Sequence, residues 1–317
     1  MCTYQTRVMW SNCSDMNPEL HCGMIAVVGR ANVGKSTLLN TILEEKVSIV
    51  SPVAQTTRNL VRGILTEPRG QLVFLDTPGV HKASYDLGKV MNRIARASVE
   101  GSDAVMLVLD ASRKPQEEDE GWMRRLAREN VTRVFVLNKT DAGSSGVRPL
   151  RETWEAVAAE REVPADTANW IEVSARTGKA VRELVSFLFD RMPAGPHLFP
   201  EDILTDFPKK LNIADVVRER FFLVLRDELP HALAVEIEEV DETPGGWTAR
   251  GSILVEKNSQ KGIVIGNKGR QLKKVRDEAE KELAEMYGHP VKLDLWVKVE
   301  PKWTRNFWVL KRLGYTT

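Results

Sequence analysis

Residues Gly29, Arg30, Ala31, Asn32, Val33, Gly34, Lys35 and Ser36 fit the pattern GxxxxGK[ST], between an apolar run, Met24–Val28, and a helical pattern, Ser36–Glu44. This is chemistry for holding a polyphosphate. Glycines let the backbone curl so that its N–H groups face one centre, and the following helix N-terminus adds partial positive charge. Lys35 is expected to reach the β- and γ-phosphates and the Ser36 hydroxyl to ligate Mg2+, with Thr37 completing the run. Asp76, Thr77, Pro78 and Gly79 then end the apolar run Leu72–Leu75. An Asp at such a strand end can hold Mg2+ through water, and the Gly79 amide can contact a γ-phosphate and sense its loss.

Two later segments address a base. Asn138, Lys139, Thr140 and Asp141 follow the run Val134–Leu137. A carboxylate at Asp141 can accept from guanine N1–H and its N2 amine; adenine offers neither donor and would leave that carboxylate unpaired. Asn138 can bridge neighbouring loops and the Lys139 stem can pack along the ring. Ser174 and Ala175 follow Ile171–Val173, where the Ala175 amide could donate to guanine O6. All these motifs fall at C-terminal strand ends, where open α/β sheets place ligands. Together they describe a site for GTP or GDP.

Catalysis is less conventional. Val80 follows the Asp-Thr-Pro-Gly motif, at the position where Ras carries the Gln that orients water. An apolar side chain cannot do this. Slow hydrolysis is therefore expected to rest on Mg2+, Lys35, backbone amides such as that of Gly79, and a monovalent cation, for which Asn32 is the natural ligand. The Asn32 side chain satisfying its own turn is an equally simple reading. Between the first two motifs lies a candidate switch loop, Gln55, Thr56, Thr57, Arg58 and Asn59. Thr57 is favoured to bring a hydroxyl to Mg2+ when the γ-phosphate is present, with Thr56 the alternative.

The elements that must position these residues alternate. Short apolar runs separated by amphipathic helical segments predict an α/β domain, a mostly parallel sheet with helices on both faces. Val47–Thr66 is strand-like throughout, which predicts a hairpin adding one antiparallel edge strand. Residues 1–21 are polar and unpatterned and are expected to be a disordered extension; residues 22–191 form the nucleotide domain. A linker with four prolines, 192–210, leads to a second domain, 211–317. There a helix near Ile213–Leu229, two strands, two helices and a last strand, Val291–Val299, give the order α-β-β-α-α-β.

Between Lys257 and Arg276 the second domain carries seven basic residues and no acidic one. Within that run lies Gly262-Ile-Val-Ile-Gly266-Asn267-Lys268-Gly269. A GXXG loop between two helices clamps the backbone of about four nucleotides. Lys261, Gly262, Ile263, Ile265, Gly266, Asn267, Lys268, Gly269, Arg270, Lys273 and Lys274 are the expected RNA contacts. Ile263, Val264 and Ile265 would line the groove for bases. The α-β-β-α-α-β order makes this an α+β, type II KH domain.

Composition excludes broad alternatives. The chain has 317 residues, 45 Lys plus Arg against 44 Asp plus Glu, and 42% hydrophobic residues, so it is neither a basic coat nor an acidic disordered chain. Its three cysteines all lie within the first 22 residues, which is no disulfide framework and points to a reducing compartment.

From about His21 to Tyr315 the chain resembles the Era family of bacterial GTPases. The matching segments are GRANVGKSTLLN, QTTR, FLDTPGVH, NKTD, VSA, TDFPKK, AVEIEE, KGIVIGNKGRQLKKV and KRLGY. The resemblance implies a GTP-dependent factor in assembly of the 30S ribosomal subunit. It further implies binding of the small-subunit (16S) rRNA 3′ end through the KH domain, a monomer, a cytoplasmic location and peripheral association with the inner membrane. K+-assisted hydrolysis through Asn32 is implied as well. Ala31 stands where the family usually has Pro, Asn267 replaces a frequent Lys or Gly, and the tail PKWTRNFWVLKRLGY is less charged than the family's. The rival reading is a membrane-associated GTPase in cell-cycle or division control that uses the KH domain to dock proteins.

Overall fold

A computed structural model describes residues 20–53, 56–79 and 86–315. The first part runs β1 (His21–Val28), α1 (Lys35–Leu43), β2 (Val61–Glu67), β3 (Gly70–Asp76), α2 (Asp86–Ala97) and β4 (Ala104–Asp110). It continues with α3 (Glu117–Leu126), β5 (Thr132–Asn138), α4 (Val147–Glu160), β6 (Ala168–Glu172) and α5 (Val181–Phe189). The six strands lie in the order β2-β3-β1-β4-β5-β6, and only β2 is antiparallel to its neighbour. β4, sequence AVMLVLD, is buried at every residue, as a central strand covered on both faces must be. One apolar layer packs Leu38, Leu39, Leu184 and Leu188 on the sheet; the other packs Trp122, Met123, Leu150 and Trp154 on the opposite face. The parallel register pairs Val27 with Asp76 and Asp110 with Asn138, so these motif residues emerge at one edge.

Two expectations change here. Of the predicted hairpin over Val47–Thr66, only the second half is a strand, and β2 pairs with β3 instead. Residues 47–53 make their backbone bonds to side chains: Val47 and Ser48 donate to Asn40 Oδ1, and Val50 donates to Glu219 Oε1. His21 begins β1, and Leu20 accepts from the Gly195 amide, so regular structure starts before residue 22. The remainder of the expected extension, residues 1–19, lies outside the described residues.

The proline-rich segment after α5 lies along the edge of the sheet. Gln71 Oε1 accepts from the Leu198 and Phe199 amides, and the Ile64 amide on β2 donates to Leu204. Pro208, with its fixed φ, stands as the N-cap of the next helix, whose first residue, Lys209, lies two residues before the expected boundary at 211. The second part runs α6 (Lys209–Val224), β7 (Ala234–Thr243), β8 (Gly246–Val255), α7 (Asn258–Ile265), α8 (Arg270–Tyr287), β9 (Val291–Val299) and α9 (Phe307–Arg312). α6 therefore ends five residues short of the predicted Leu229. β7 and β8 are antiparallel, while β8 and β9 are parallel. Apolar residues of α6, α7 and α8 cover one face of this sheet. On its other side Trp303 and α9 pack with Ala234 and Leu254, and also with Leu87 and Met91 of α2. The chain's last described segment thus joins both halves. Among the described residues no helix is long and apolar enough to cross a membrane.

Candidate functional site

The turn between β1 and α1 is shaped by residues that tolerate it. Gly34 has φ +98°, and a Cβ there would sit 2.4 Å from Asn138 Nδ2. Only glycine serves both needs. Lys35 is buried and its Nζ donates to the carbonyls of Gly29 at 3.1 Å and Arg30 at 2.9 Å. Burial pushes the Lys35 ammonium down to about 8, against the pull of Asp76. The Arg30 side chain turns aside to Asp119 at 3.2 Å, leaving its backbone to the loop.

A cluster of oxygens lies beside this turn. Ser36 Oγ is 2.7 Å from Asp76 Oδ2 and 2.9 Å from Thr57 Oγ1, and Ser48 Oγ donates to the same Asp76 oxygen at 2.9 Å. Asp76 is fully buried, which pushes its carboxyl up against the opposing effects of Lys35, Ser36 and Ser48. Its Oδ1 is buried with no hydrogen-bond partner. Hydroxyl and carboxylate oxygens around an unsatisfied buried carboxylate suit a hard divalent cation such as Mg2+. Thr56 does not join this cluster: its Oγ1 lies 2.8 Å from Ser51 Oγ and donates to the Val53 carbonyl. The geometry therefore favours Thr57 over Thr56. Ala31, Asn32, Gly34, Lys35, Ser36, Thr57 and Gly79 are among the residues that line the adjoining cleft.

Thr77 donates to the Val27 carbonyl at 2.8 Å, which ties the Asp76–Gly79 segment to β1. A Cβ on Gly79 would lie 2.7 Å from Ala31 Cα and 2.8 Å from its nitrogen. This close approach explains both the glycine and the tolerance of a small residue at position 31. Pro78 is buried beside it. Asn32 has φ +62° and donates through Nδ2 to the Pro52 carbonyl at 3.0 Å. Val80 and Gln55 lie outside the described residues. Asn59 is buried, with neither side-chain polar atom hydrogen-bonded.

Asn138 joins three loops. It donates to the Val33 carbonyl at 2.9 Å and accepts from the Ala175 amide at 2.9 Å. The Ala175 amide, expected to donate to guanine O6, is thus engaged with Asn138 in this structure. Lys139 Nζ donates to the Asn32 carbonyl at 2.6 Å and to Asp110 Oδ2 at 2.9 Å, and Thr140 Oγ1 donates to the Val173 carbonyl at 3.0 Å. Asp141 is exposed; the Ser174 hydroxyl at 2.6 Å and Arg176 at 2.9 Å hold its carboxyl below the usual range. Sequence reasoning missed Ser48, Asp110 and Arg176. Asp110 carried a signal, an acid ending an apolar run as Asp76 does; the other two carried none.

In the second half, α7 ends at Gly266 (φ +72°), Lys268 has φ +51° and Gly269 has φ +75° before α8 begins. The loop therefore turns out at both glycines. Ile263 is 56% exposed and Ile265 is half-buried, whereas Val264 is fully buried in the core. This removes Val264 from the predicted groove: it is on the inward face of α7. Gly262, Asn267, Lys268, Arg270, Lys273 and Lys274 are exposed, and Lys261 is half-buried.

A family model described as a 50S ribosome-binding GTPase matches residues 24–139, and one for the KH domain matches 228–304. GTPase Era of Lacticaseibacillus paracasei is 39% identical over 301 residues, covering 94% of this chain and 98% of that protein. GTPase Era of Nostoc is 37% identical over 298 residues, covering 94% and 90%. Among solved structures, Era in complex with MgGDPNP and nucleotides 1506–1542 of 16S ribosomal RNA superposes with TM-score 0.86. It is 36% identical, with 94% of this chain and all of that one covered. A tyrosine-to-alanine variant of Aquifex aeolicus Era bound to GDP·AlF4− matches with the same TM-score, identity and coverage. With the nucleotide site and KH loop in place along one chain, and identity of this level over nearly its whole length, the protein belongs to the Era family of GTPases.

Proposed function

We propose that the chain is a GTP-hydrolysing switch that binds the 3′ end of small-subunit rRNA through its KH domain during 30S subunit assembly in the cytoplasm. One observation carries the reading: the oxygen cluster of Ser36, Thr57 and Asp76 shares a chain with a basic GXXG loop. A similar protein, Era, has been solved with a GTP analogue, magnesium and 16S rRNA together. The 50S in the other family description belongs to a model spanning only the nucleotide part, which does not choose the RNA.

The residues divide the work. Residues 29–37 cradle the phosphates through backbone N–H groups, and Lys35 sets its charge against the β- and γ-phosphates. Ser36, Thr57 and Asp76 hold Mg2+, which when bound neutralises charge developing on the transferred phosphoryl group. Asn32 has its amide nitrogen engaged with Pro52, and its oxygen is the ligand proposed for K+. The Gly79 amide contacts the γ-phosphate, and water is placed by backbone groups because Val80 offers no polar atom. Asp141 and Asn138 select guanine. The nucleotide domain is taken as 21–191 and the RNA-binding domain as 209–317, revised for the starts of β1 and α6.

RNA binding by the full-length protein tests the reading. Wild type should prefer the small-subunit 3′ end over a scrambled RNA of equal length, with affinity falling steeply in salt. The Gly266→Asp, Gly269→Asp double variant should bind that RNA at least about 100-fold more weakly, because two carboxylates face phosphate. GTP affinity should stay unchanged. Equal binding of the two RNAs by wild type would sink the proposal.

The protein is also proposed to associate peripherally with the inner face of the membrane. Phe307 is 57% and Trp308 73% exposed on α9, beside Lys311 and Arg312. Cosedimentation with anionic vesicles should fall several-fold in a Phe307→Ser, Trp308→Ser variant. Equal sedimentation of variant and wild type would remove this contact.

A further inference from the structure

Thr57 sits between two anchors, and both are in the other domain. The carbonyl of Thr56, the residue before it, accepts from Arg218 Nη2 of α6 at 2.7 Å. The side chain of Arg58, the residue after it, enters the second domain and is 1% exposed there. Arg58 donates to the Leu233 carbonyl at 2.8 Å and the Pro230 carbonyl at 3.2 Å. Its guanidinium carbon lies 5.6 to 5.9 Å from the ring centres of Trp303, Tyr315 and Phe222. Arg218 is held in turn by Asp215 at 2.9 Å and by the Tyr315 hydroxyl at 2.9 Å.

The cluster is a poor choice if its purpose were adhesion alone. Two guanidinium groups share one interior with a single close carboxylate, Asp215, and the Nε of each arginine has no partner. Apolar residues of similar volume would hold two domains together at least as well. What the arginines supply, and apolar residues could not, is a grip on the backbone and side chain either side of Thr57. Between these two anchors, Thr57 Oγ1 lies 2.9 Å from Ser36 Oγ.

We infer that Arg218, braced by Asp215 and Tyr315, is a positioning residue for the GTPase reaction: through the Thr56 carbonyl it holds Thr57 where Mg2+ is ligated. The nucleotide site is therefore completed by the KH domain. A loop that is ordered beforehand loses less conformational freedom when Thr57 takes its ligand. The inference rests on the reading of Thr57 as a Mg2+ ligand in the GTP complex.

The test measures release of a fluorescent nucleotide from the full-length protein as Mg2+ is titrated. The Asp215→Asn, Arg218→Met variant removes the charge pair without leaving a buried carboxylate alone. The Mg2+ concentration that half-suppresses release of a non-hydrolysable GTP analogue should rise about tenfold, and that for GDP should not move. A general loosening of the domain would shift both. Thr57→Ala should give a similar rise, and adding it to the double variant should give no further rise.

If Thr57→Ala raises the GTP-analogue midpoint and the double variant does not, the inference falls while the assignment of Thr57 stands. Additive shifts, or equal shifts with GDP, also overturn it. No shift in Thr57→Ala overturns the assignment of Thr57 and the inference with it. Should the double variant lose its fold, judged by GDP affinity, Tyr315→Phe decides, since it removes only the hydroxyl that accepts from Arg218 at 2.9 Å and, at the longer distance of 3.5 Å, from Arg58. A rise of about threefold confined to the GTP analogue supports the inference, and an unmoved midpoint overturns it.

Discussion

Replacing Asp141 by Asn should turn this GTPase into a protein that prefers xanthine nucleotides. Guanine presents two donors, N1–H and the N2 amine, to an acceptor-only carboxylate. In the variant, Ser174 Oγ, now 2.6 Å from Asp141 Oδ1, remains a donor and selects the amide oxygen. The NH2 group then takes the place of Oδ2, where it opposes a guanine N–H but can donate to the O2 carbonyl of xanthine. Losing a charge-assisted pair and facing one donor with another should cost GDP roughly 3 kcal/mol, or about 200-fold in affinity. Arg176 loses its partner at 2.9 Å, but it is largely exposed, so that pair contributes little. Competition of GDP, XDP and ADP against a fluorescent nucleotide measures the change. ADP should bind poorly to both proteins. If the variant still prefers GDP to XDP, Asp141 does not read the base.

The nucleotide site was legible because its chemistry is local: each motif is a short run closing an apolar strand, and the parallel register brings the strand ends together. The same logic failed where the pattern had a different cause. Val47 and Ile49 alternate with polar residues as in a strand, and both are buried. Val47 packs in the apolar cluster that holds Leu39 and Leu43 of α1, Ile49 lines the nucleotide cleft, and Asn40 and Glu219 take the amides a ladder would have used. Val264 sits among exposed neighbours in the GXXG region, yet helical geometry turns it inward, which a list of apolar residues does not reveal. Ser48, Arg176 and the grip of Arg218 on Thr56 arise from tertiary folding. Arg218 is 162 residues from Thr56 in the chain, and nothing near either residue announces the other.

Trp303 shows how strongly the tail binds the two halves, and Trp303→Ala should be among the most destabilising single changes in the chain. The side chain is fully buried, and its Nε1 donates to the Ala232 carbonyl at 2.9 Å. Around it are Ala234 and Leu254 of the KH sheet, Leu87 and Met91 of α2, and the guanidinium of Arg58 at 5.6 Å. Truncating a buried aromatic costs about 3–5 kcal/mol through lost transfer energy and the cavity left behind. The orphaned Ala232 carbonyl adds about 1 kcal/mol if no water replaces the indole. Because the cavity opens against α2, α9 and Arg58 together, the loss should not stay in the KH domain. Urea unfolding followed by a KH-domain signal should shift to lower concentration. The GDP-protected transition of the nucleotide domain should separate from it, where wild type shows closer coupling. A midpoint lowered by less than about 1 kcal/mol equivalent would mean that the tail packs on the surface and does not join the domains.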